Sequence, residues 1–458
     1  MVYKSILMMA IYILQMQKTM FQAVSYIATR AKANANGLCA RVISLLTCAL
    51  SIVSCEPYIP MVNLGIDDTY AIERMRTLIL HPEYEGDAYE WRLISSPLAS
   101  SPDSLISSNR DLIFCQSKAG TYHLRLDLYS SKLQQSDLQP EGRSTGVADQ
   151  QGLRPTLSHH FVVQVWEEQV AYSPYISKVL EYNPAPGQFV NSMPQYEEGD
   201  TYATMLQKVE ESIAGTSRTL ISLGAWGGYV TFAFDHSVVN TPNQSDFLIE
   251  GNSFYASTTS KGGSSEPGIV TVSIDINQNG LPDDPFYQLA GSEYSNPNTL
   301  HHYSLTYRRT PADHMPQPDK NNSITDSTYI RWMDNQNQTG YLHKNTFHTQ
   351  EYFPLWLADS TLTFVGSRLP DNAYDPNGKG AYWIQQPFDY GYADCHPNDS
   401  IARCSFDIDR AVTNDGNPIY LPCVDFVRVY TGVFQQCGWT GEISTEISFA
   451  CDLNFHEE

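Results

Sequence analysis

The sequence predicts an all-β protein made of two successive β-sandwiches. Tyr (29), Phe (18) and Trp (7) are abundant, while only 17% of the residues are charged. Aromatic and β-branched residues favour strands. Here they form many short runs separated by Gly, Pro, Asn and Asp, which is typical of sandwiches. One helix is predicted over 202–214, because Met205, Val209 and Ile213 recur every four residues and Gly215 can end it.

Residues 1–54 are predicted to be a lipoprotein signal peptide that is removed. They contain five Lys and Arg residues and no Asp or Glu, and their last apolar stretch, 42–54, is shorter than a membrane span. Ile-Val-Ser before Cys55 resembles a bacterial lipobox, which implies that Cys55 becomes the lipidated N-terminus. An ordinary signal peptide with an incidental cysteine is the alternative. The leader is long, so an internal start such as Met20 and a two-part leader both stay open.

The charge balance excludes one class of partner. The chain has 28 Lys and Arg and 50 Asp and Glu, and removing the five leader cations leaves 23 − 50 = −27 for residues 55–458. Such an acidic chain is unsuited to nucleic acid and to anionic lipid head groups. No stretch after Cys55 has the length and apolarity of a membrane helix, so the lipid would be the anchor to the membrane.

The first domain is predicted over residues 55–170. Three segments alternate like strands and carry Tyr-x-Trp, Gly-Thr-Tyr-x-Leu-x-Leu and Val-x-Val patterns, at 89–93, 120–127 and 160–166. Their order resembles a PKD-type, immunoglobulin-like sandwich, which implies that Trp91 packs in the core and that the domain is a spacer. The polar stretch 130–155 is interpreted as an inserted loop.

The second domain, 171–458, is predicted to be a larger, jelly-roll-like sandwich. Its sequence resembles cell-surface lipoproteins of the Bacteroides type that carry an N-terminal PKD-like domain. The matching phrases lie at 178–191, 221–230, 262–268, 343–348 and 425–432. The resemblance implies a lipid-anchored location on the outer membrane at the cell surface, and some relatives accompany TonB-linked uptake systems, including those for corrinoids. Only Glu56 follows Cys55 where the family has an acidic cluster, so the inner or outer face of the outer membrane stays open.

A calcium site is predicted in the second domain. The segment 275–284 places oxygen-bearing side chains at alternating positions, with Gly280 at the sixth, as at the start of an EF-hand or dockerin loop. The proposed ligands are Asp275, Asn277, Asn279, Asp283 and Asp284. Pro282 and the missing Glu at position twelve break the EF-hand form, and the flanking strands predict a β-hairpin. A turn held by its own Asx hydrogen bonds is the alternative.

The cysteines of the mature chain permit disulfides in an exported protein. Besides Cys55 there are six, and five of them fall in the last 64 residues of the chain. A bridge between Cys395 and Cys404 is favoured because it would close a short polar loop. A zinc site is the lesser alternative, and sequence does not fix the connectivity.

Two classes of function remain. The first is a non-enzymatic surface protein that binds an extracellular ligand, a glycan or a nutrient such as a corrinoid, for uptake or adhesion. Its candidate stacking residues are Trp226, Trp332, Trp356, Trp383 and Trp439, although most such aromatics are expected in the core. The second is a glycan-active enzyme, which would need two carboxylates about 5–10 Å apart. No Walker loop, Gly-x-Ser-x-Gly or His-Glu-x-x-His motif is present, and no catalytic residue is assigned.

Overall fold

The computed structural model describes residues 64–94, 103–132, 155–257, 262–319 and 323–455. The predicted leader, Cys55 and most of the loop predicted over 130–155 lie outside these residues, and the predictions for them stay predictions. In the described part, strands far outnumber helices, which confirms the all-β prediction. Neither of the two described α-helices is long and apolar enough to cross a membrane.

The first seven strands form a five-stranded sheet and a separate two-stranded ribbon. Their bounds are β1 (Thr69–Glu73), β2 (Leu78–Leu80), β3 (Ala88–Leu93), β4 (Ser104–Ser107), β5 (Leu112–Phe114), β6 (Gly120–Tyr129) and β7 (Leu157–Trp166). The sheet has the order β1-β7-β6-β3-β4, and β2 pairs with β5. The β1–β7 pair is parallel, and the other pairs are antiparallel. Trp91 is fully buried, edge-on to Phe161 at 6.0 Å between ring centroids, so its predicted core position is confirmed.

The rest of the described chain adds twenty strands, two α-helices and two 3₁₀ turns. These elements are β8 (Lys178–Asn183), α1 (Tyr202–Ile213), β9 (Ile221–Ser222), β10 (Tyr229–Val239), β11 (Phe247–Glu250), β12 (Phe254–Tyr255), β13 (Gly263–Ser264), β14 (Gly268–Ser273), β15 (Tyr287–Leu289), β16 (Leu300–Arg308), β17 (Ile324–Asp334), β18 (Thr339–Asn345), β19 (Thr361–Arg368), β20 (Ala373–Tyr374), β21 (Ile384–Gln385), β22 (Tyr392–Ala393), α2 (Ile401–Cys404), β23 (Ser405–Phe406), a 3₁₀ turn (Ile408–Arg410), β24 (Ala411–Val412), β25 (Cys423–Thr431), a second 3₁₀ turn (Gly438–Thr440), β26 (Glu446–Ile447) and β27 (Phe449–Asp452).

The central sheet of this second part has the order β24-β15-β14-β25-β10-β8, and β22 also pairs with β14. Helix α1 covers one face of it with Met205, Val209 and Ile213, all fully buried, as the spacing of four predicts. Thr201 caps the helix by accepting from the backbone N–H of Thr204 at 3.3 Å. The helix ends at Ile213, one residue before the predicted end.

Four smaller sheets surround the central one. Their orders are β18-β17-β16-β19, β12-β13-β21-β20, β23-β11-β27 and β26-β9. The β16–β19 sheet encloses a second hydrophobic core that contains Trp226, Tyr303 and Tyr307. Between this sheet and the central sheet, the hydroxyl of Tyr430 on β25 accepts from the backbone N–H of Ser367 on β19 at 2.9 Å. The two sheets therefore form the walls of a sandwich.

The ribbon and the segment before β2 contact the central sheet directly. The Ser237 N–H on β10 donates to the Met75 carbonyl at 2.9 Å, and the hydroxyls of Ser237 and Thr77 are 3.1 Å apart. Ile113 on β5 packs against the core of the central sheet. Strand β7 ends at Trp166 and β8 begins at Lys178. The predicted domain boundary at 170 falls between them and stays a prediction.

Candidate ligand-binding site

A row of polar side chains crosses the central sheet. Strand pairing places Glu181, Thr231, Arg428, Thr271 and Gln288 side by side on five neighbouring strands, from β8 to β15. Residues directly opposite each other in adjacent strands project from the same face of a sheet. Five residues that are distant in sequence therefore share one surface, which we call the polar row.

Arg428 is held rigidly at the centre of the polar row. Its Nη2 donates to Glu181 at 2.6 Å and its Nε to the Thr231 hydroxyl at 2.9 Å. Its guanidinium carbon lies 3.8 Å from the ring centroid of Phe286 and 4.8 Å from that of Tyr229. The cation thus makes cation–π contacts with two rings. The remaining nitrogen, Nη1, has no hydrogen-bond partner among the described residues, so it is available to a ligand.

The opposite wall comes from β19, from the start of β16 and from the loop before β16. Gln288 accepts from the Ser367 hydroxyl at 2.7 Å, and that hydroxyl lies 3.1 Å from His301 Nδ1. The ring of His301 is 4.7 Å from that of Tyr294. The amide Nε2 of Gln288 is buried and has no hydrogen-bond partner among the described residues. An unpaired buried donor costs free energy.

A cavity of about 370 Å³ lies between these walls, within the range of small-ligand sites. Its aromatic lining residues are Tyr229, Phe286, Tyr294, Phe364 and Tyr430, and its polar ones include Thr271, Gln288, His301, Thr363 and Arg428. Among the described residues that line it, none is Asp or Glu. Gly227, at φ +90°, leaves room for Phe364, because a β-carbon there would lie 2.4 Å from that side chain. The described lining residues therefore include no acidic side chain, although the chain has a net charge of −22.

The five tryptophans predicted as stacking residues do not converge on this cavity. Trp226 is fully buried against Tyr303, and Trp356 is 9% exposed against Tyr182, so neither offers a face to a ligand. The prediction that Trp226 and Trp356 stack on a ligand is therefore wrong, because each indole packs inside a hydrophobic core. Trp332 and Trp383 are half-buried, and within the described part of the chain neither indole nitrogen has a hydrogen-bond partner.

Trp439 is the most accessible of the five, at 38% exposure. Its ring lies 5.3 Å from that of Phe347, which is 61% exposed. Its indole nitrogen donates to the carbonyl of Ala381 at 3.1 Å, which fixes the ring at the surface. Trp439 and Phe347 form an exposed aromatic pair that is separate from the cavity lining.

The predicted calcium loop, 275–284, connects β14 and β15, which pair as the predicted hairpin. Asp275 accepts from the backbone N–H groups of Asn279 at 3.0 Å and Gly280 at 2.8 Å. Asp283 accepts from the side-chain amides of Asn277 at 2.9 Å and Asn279 at 3.0 Å, and these bonds lower the pKa of Asp283. The loop thus makes the Asx hydrogen bonds that the alternative interpretation requires.

The fifth proposed ligand, Asp284, accepts from the backbone N–H of Ile276 at 2.9 Å. Within the described residues, the three carboxylates whose oxygens converge within 4.8 Å are Glu266, Asp394 and Glu446, and not those of the loop. Calcium binding here stays a prediction.

That convergent group of Glu266, Asp394 and Glu446 lies inside the protein. Asp394 accepts from the backbone N–H of Glu446 at 2.9 Å and of Ser253 at 2.9 Å. Burial raises the pKa of Glu266 to about 7, and burial together with the neighbouring carboxyls raises the pKa values of Asp394 and Glu446 well above the usual range. The group is therefore held by shared protons and backbone donors.

The predicted bridge between Cys395 and Cys404 is not formed in the structure. Both thiols are buried and free. The Cys395 sulfur accepts from the Phe388 N–H at 3.2 Å, and the Cys404 thiol donates to the His396 carbonyl at 3.5 Å. Each sulfur therefore has its own backbone partner, which a cysteine spacing of nine residues does not reveal.

Comparison with known proteins adds little. No family model and no curated protein matches the chain. A SusE-like protein of known structure is 8% identical, over 86% of this chain and 98% of that one, with a TM-score of 0.24. A structure of carbohydrate-binding modules from the β-sandwich superfamily is 10% identical, over 84% and 94%, with a TM-score of 0.13. At these TM-scores neither structure indicates a fold or function for this chain. The resemblance to PKD-bearing surface lipoproteins stays a prediction.

Proposed function

We propose that this protein binds a neutral glycan in the cavity above the polar row. The observation that carries the proposal is the pairing of aromatic faces with fixed polar groups in one concave site whose described lining residues include no carboxylate. A sugar ring has an apolar C–H face and a rim of hydroxyls. Such a ligand can stack on Tyr294 while its hydroxyls accept from Arg428 Nη1.

The neutrality of the ligand follows from the charge of the polar row. Arg428 is already paired with Glu181 at 2.6 Å, so the pair has no net charge to offer an anion. An anionic ligand would compete with Glu181 for the guanidinium and would approach a strongly acidic protein. Hydroxyl groups avoid both penalties, because they are uncharged and accept from the free Nη1 without displacing Glu181.

Binding is favoured over hydrolysis by the composition of the lining. A glycosidase of the usual kind needs two carboxyl groups on either side of the scissile bond. The described lining residues include no Asp or Glu, and Glu181 is engaged by Arg428 and Thr231. The convergent carboxyl group at Glu266 is not part of the lining. We therefore place the glycan-active enzyme second.

A corrinoid fits the cavity less well than a sugar. Its macrocycle and nucleotide loop are larger than a space of about 370 Å³, whereas small-ligand sites of that size bury most of a compact ligand.

We further propose that a lipid on Cys55 holds the protein on the outer membrane at the cell surface. There it would pass glycan to TonB-linked uptake machinery. These last steps are supported by the lipobox and by the sequence resemblance alone.

Isothermal titration of the mature chain against neutral oligosaccharides and cyanocobalamin tests the proposal. Suitable probes are cello-, xylo- and manno-oligosaccharides. Replacing Tyr294 by Ala should weaken the best sugar about tenfold or more, because a central aromatic contact contributes about 1.4 kcal/mol or more. Trp439→Ala is the matched control: it removes an exposed aromatic outside the cavity and should leave the affinity unchanged. Loss of binding in the control and not in Tyr294→Ala would refute this site. Binding of cyanocobalamin alone would refute the glycan.

A further inference from the structure

Two buried cysteines from distant parts of the chain meet where the ribbon docks on the central sheet. Cys115 immediately follows β5 and is 3% exposed, while Cys423 begins β25 and is fully buried. Both are free thiols in the structure, and both lie beside Thr77. They are 308 positions apart, and each belongs to a different sheet.

The surrounding backbone fixes both cysteines in this position. Thr77 precedes β2, the strand that pairs with β5, and its hydroxyl lies 3.4 Å from the Cys423 sulfur. The Met75 N–H donates to the Gln116 carbonyl at 2.8 Å, and the Met75 carbonyl accepts from Ser237 at 2.9 Å. These bonds connect the ribbon to itself on one side and to β10 on the other. Both cysteines are therefore held where the ribbon docks on the central sheet.

We propose that Cys115 and Cys423 form a disulfide that joins the N-terminal sheets to the central sheet in an oxidising compartment. The predicted export of the chain would place it in such a compartment. One thiolate attacks a sulfur of an external disulfide and releases one thiol of that reagent. The second cysteine thiolate then attacks the mixed disulfide and releases the other. One protein S–S bond forms, one external S–S bond breaks, and two protons leave the cysteines.

The bond should form while the chain folds. The neighbouring Cys115 thiol and burial hold the pKa of Cys423 well above its usual range. Because the thiolate is the reacting form, the docked pair exchanges slowly once it is buried. An oxidant acting before docking is complete meets both thiols in solvent, and docking then brings them together.

The test is oxidative refolding of the mature chain. Reduced, denatured protein is refolded with a mixture of oxidised and reduced glutathione, and a parallel sample is refolded in dithiothreitol. Free thiols are then alkylated in denaturant, and the protein is digested for mass spectrometry. We expect a peptide pair containing Cys115 and Cys423 that separates on reduction. The melting temperature of the oxidised sample should exceed that of the reduced one by about 5 °C, because the bond closes a loop of roughly 300 residues.

Three variants make the result specific. Cys115→Ser and Cys423→Ser should each lose the oxidation-dependent rise in melting temperature. Cys437→Ser is the matched control, since it also replaces a buried thiol, and it should keep the full rise. Alkylation of both Cys115 and Cys423 in the oxidised wild type, after denaturation, would overturn the proposal. So would a rise that survives in both single variants. Neither readout depends on a bound glycan, so this proposal stands or falls separately from the binding site.

Discussion

Replacing Glu442 by Gln should make the protein more stable at pH 8 and nearly unchanged at pH 5. Glu442 is 4% exposed, and its carboxylate accepts from the backbone N–H of Gln188 at 2.6 Å. Among the described residues, no Lys, Arg or His forms an ion pair with it. Burial is the main reason that the pKa of Glu442 rises to about 8 from 4.5. The folded protein therefore holds a proton on this side chain that the unfolded chain has already released.

The sign and size of this difference in stability follow from proton linkage. A raised folded-state pKa gives a stability contribution that is complete below pH 4.5 and is lost as the pH rises through 8. The rise from 4.5 to 8 corresponds to about 5 kcal/mol in total, of which about 3 kcal/mol is lost between pH 5 and pH 8. Gln keeps an oxygen for the Gln188 N–H and cannot ionise. The Gln variant should therefore be more stable than wild type by about 3 kcal/mol at pH 8.

Urea unfolding followed by tryptophan fluorescence at pH 5, 6, 7 and 8 measures this difference. Glu198→Gln is the matched control, because it removes the same charge from an exposed side chain and should retain the wild-type pH dependence. The wild type keeps further pH dependence from Glu266, so the comparison between variants matters rather than the wild-type slope alone. Equal slopes for wild type and Glu442→Gln would show that Glu442 is not protonated in the fold.

Three other predictions address the anchor, the calcium loop and the first core. Cys55→Ala should leave the protein without lipid and poorly retained in the membrane fraction; unchanged retention together with no lipid mass on the wild type would contradict the lipobox. If the loop binds calcium, chelator should lower the melting temperature by an amount set by about 2.7 kcal/mol at calcium a hundredfold above Kd. Asp275→Ala should abolish that shift, and equal melting of the wild type in chelator and in millimolar calcium would leave the Asx turn as the explanation. Trp91→Ala should destabilise the protein by about 3–5 kcal/mol in urea unfolding, because it empties a core position; a change below 1 kcal/mol would argue against that core.

Local pattern predicted the local structure well. The period of four in 202–214 identified α1, and alternation identified β3, β6 and β7, because these patterns follow from which residues of a single element are buried. The Asx-rich turn after β14 was also readable, since its hydrogen bonds join residues within ten positions.

The candidate site could not be predicted from local sequence patterns. The polar row brings Glu181 and Arg428 together across 247 positions, through the register of strands that pair in non-sequential order. No short pattern contains that information. The same applies to Trp226, which looks like any exposed aromatic in sequence and is buried by Tyr303 from another sheet. The meeting of Cys115 with Cys423 likewise depends on how two sheets dock.

The parallel pairing of β1 with β7 has a mechanical consequence for a tethered protein. Five residue pairs, from Thr69 with Val162 to Glu73 with Trp166, hold the first and last strands of the five-stranded sheet together. A pull on the chain before β1, opposed by drag on the chain after β7, acts along these strands in opposite directions. The hydrogen bonds are then loaded in shear and must yield together, whereas an antiparallel end pair would open one bond at a time. If the protein is tethered at its N-terminus in flowing medium, this sheet would resist unfolding under tension.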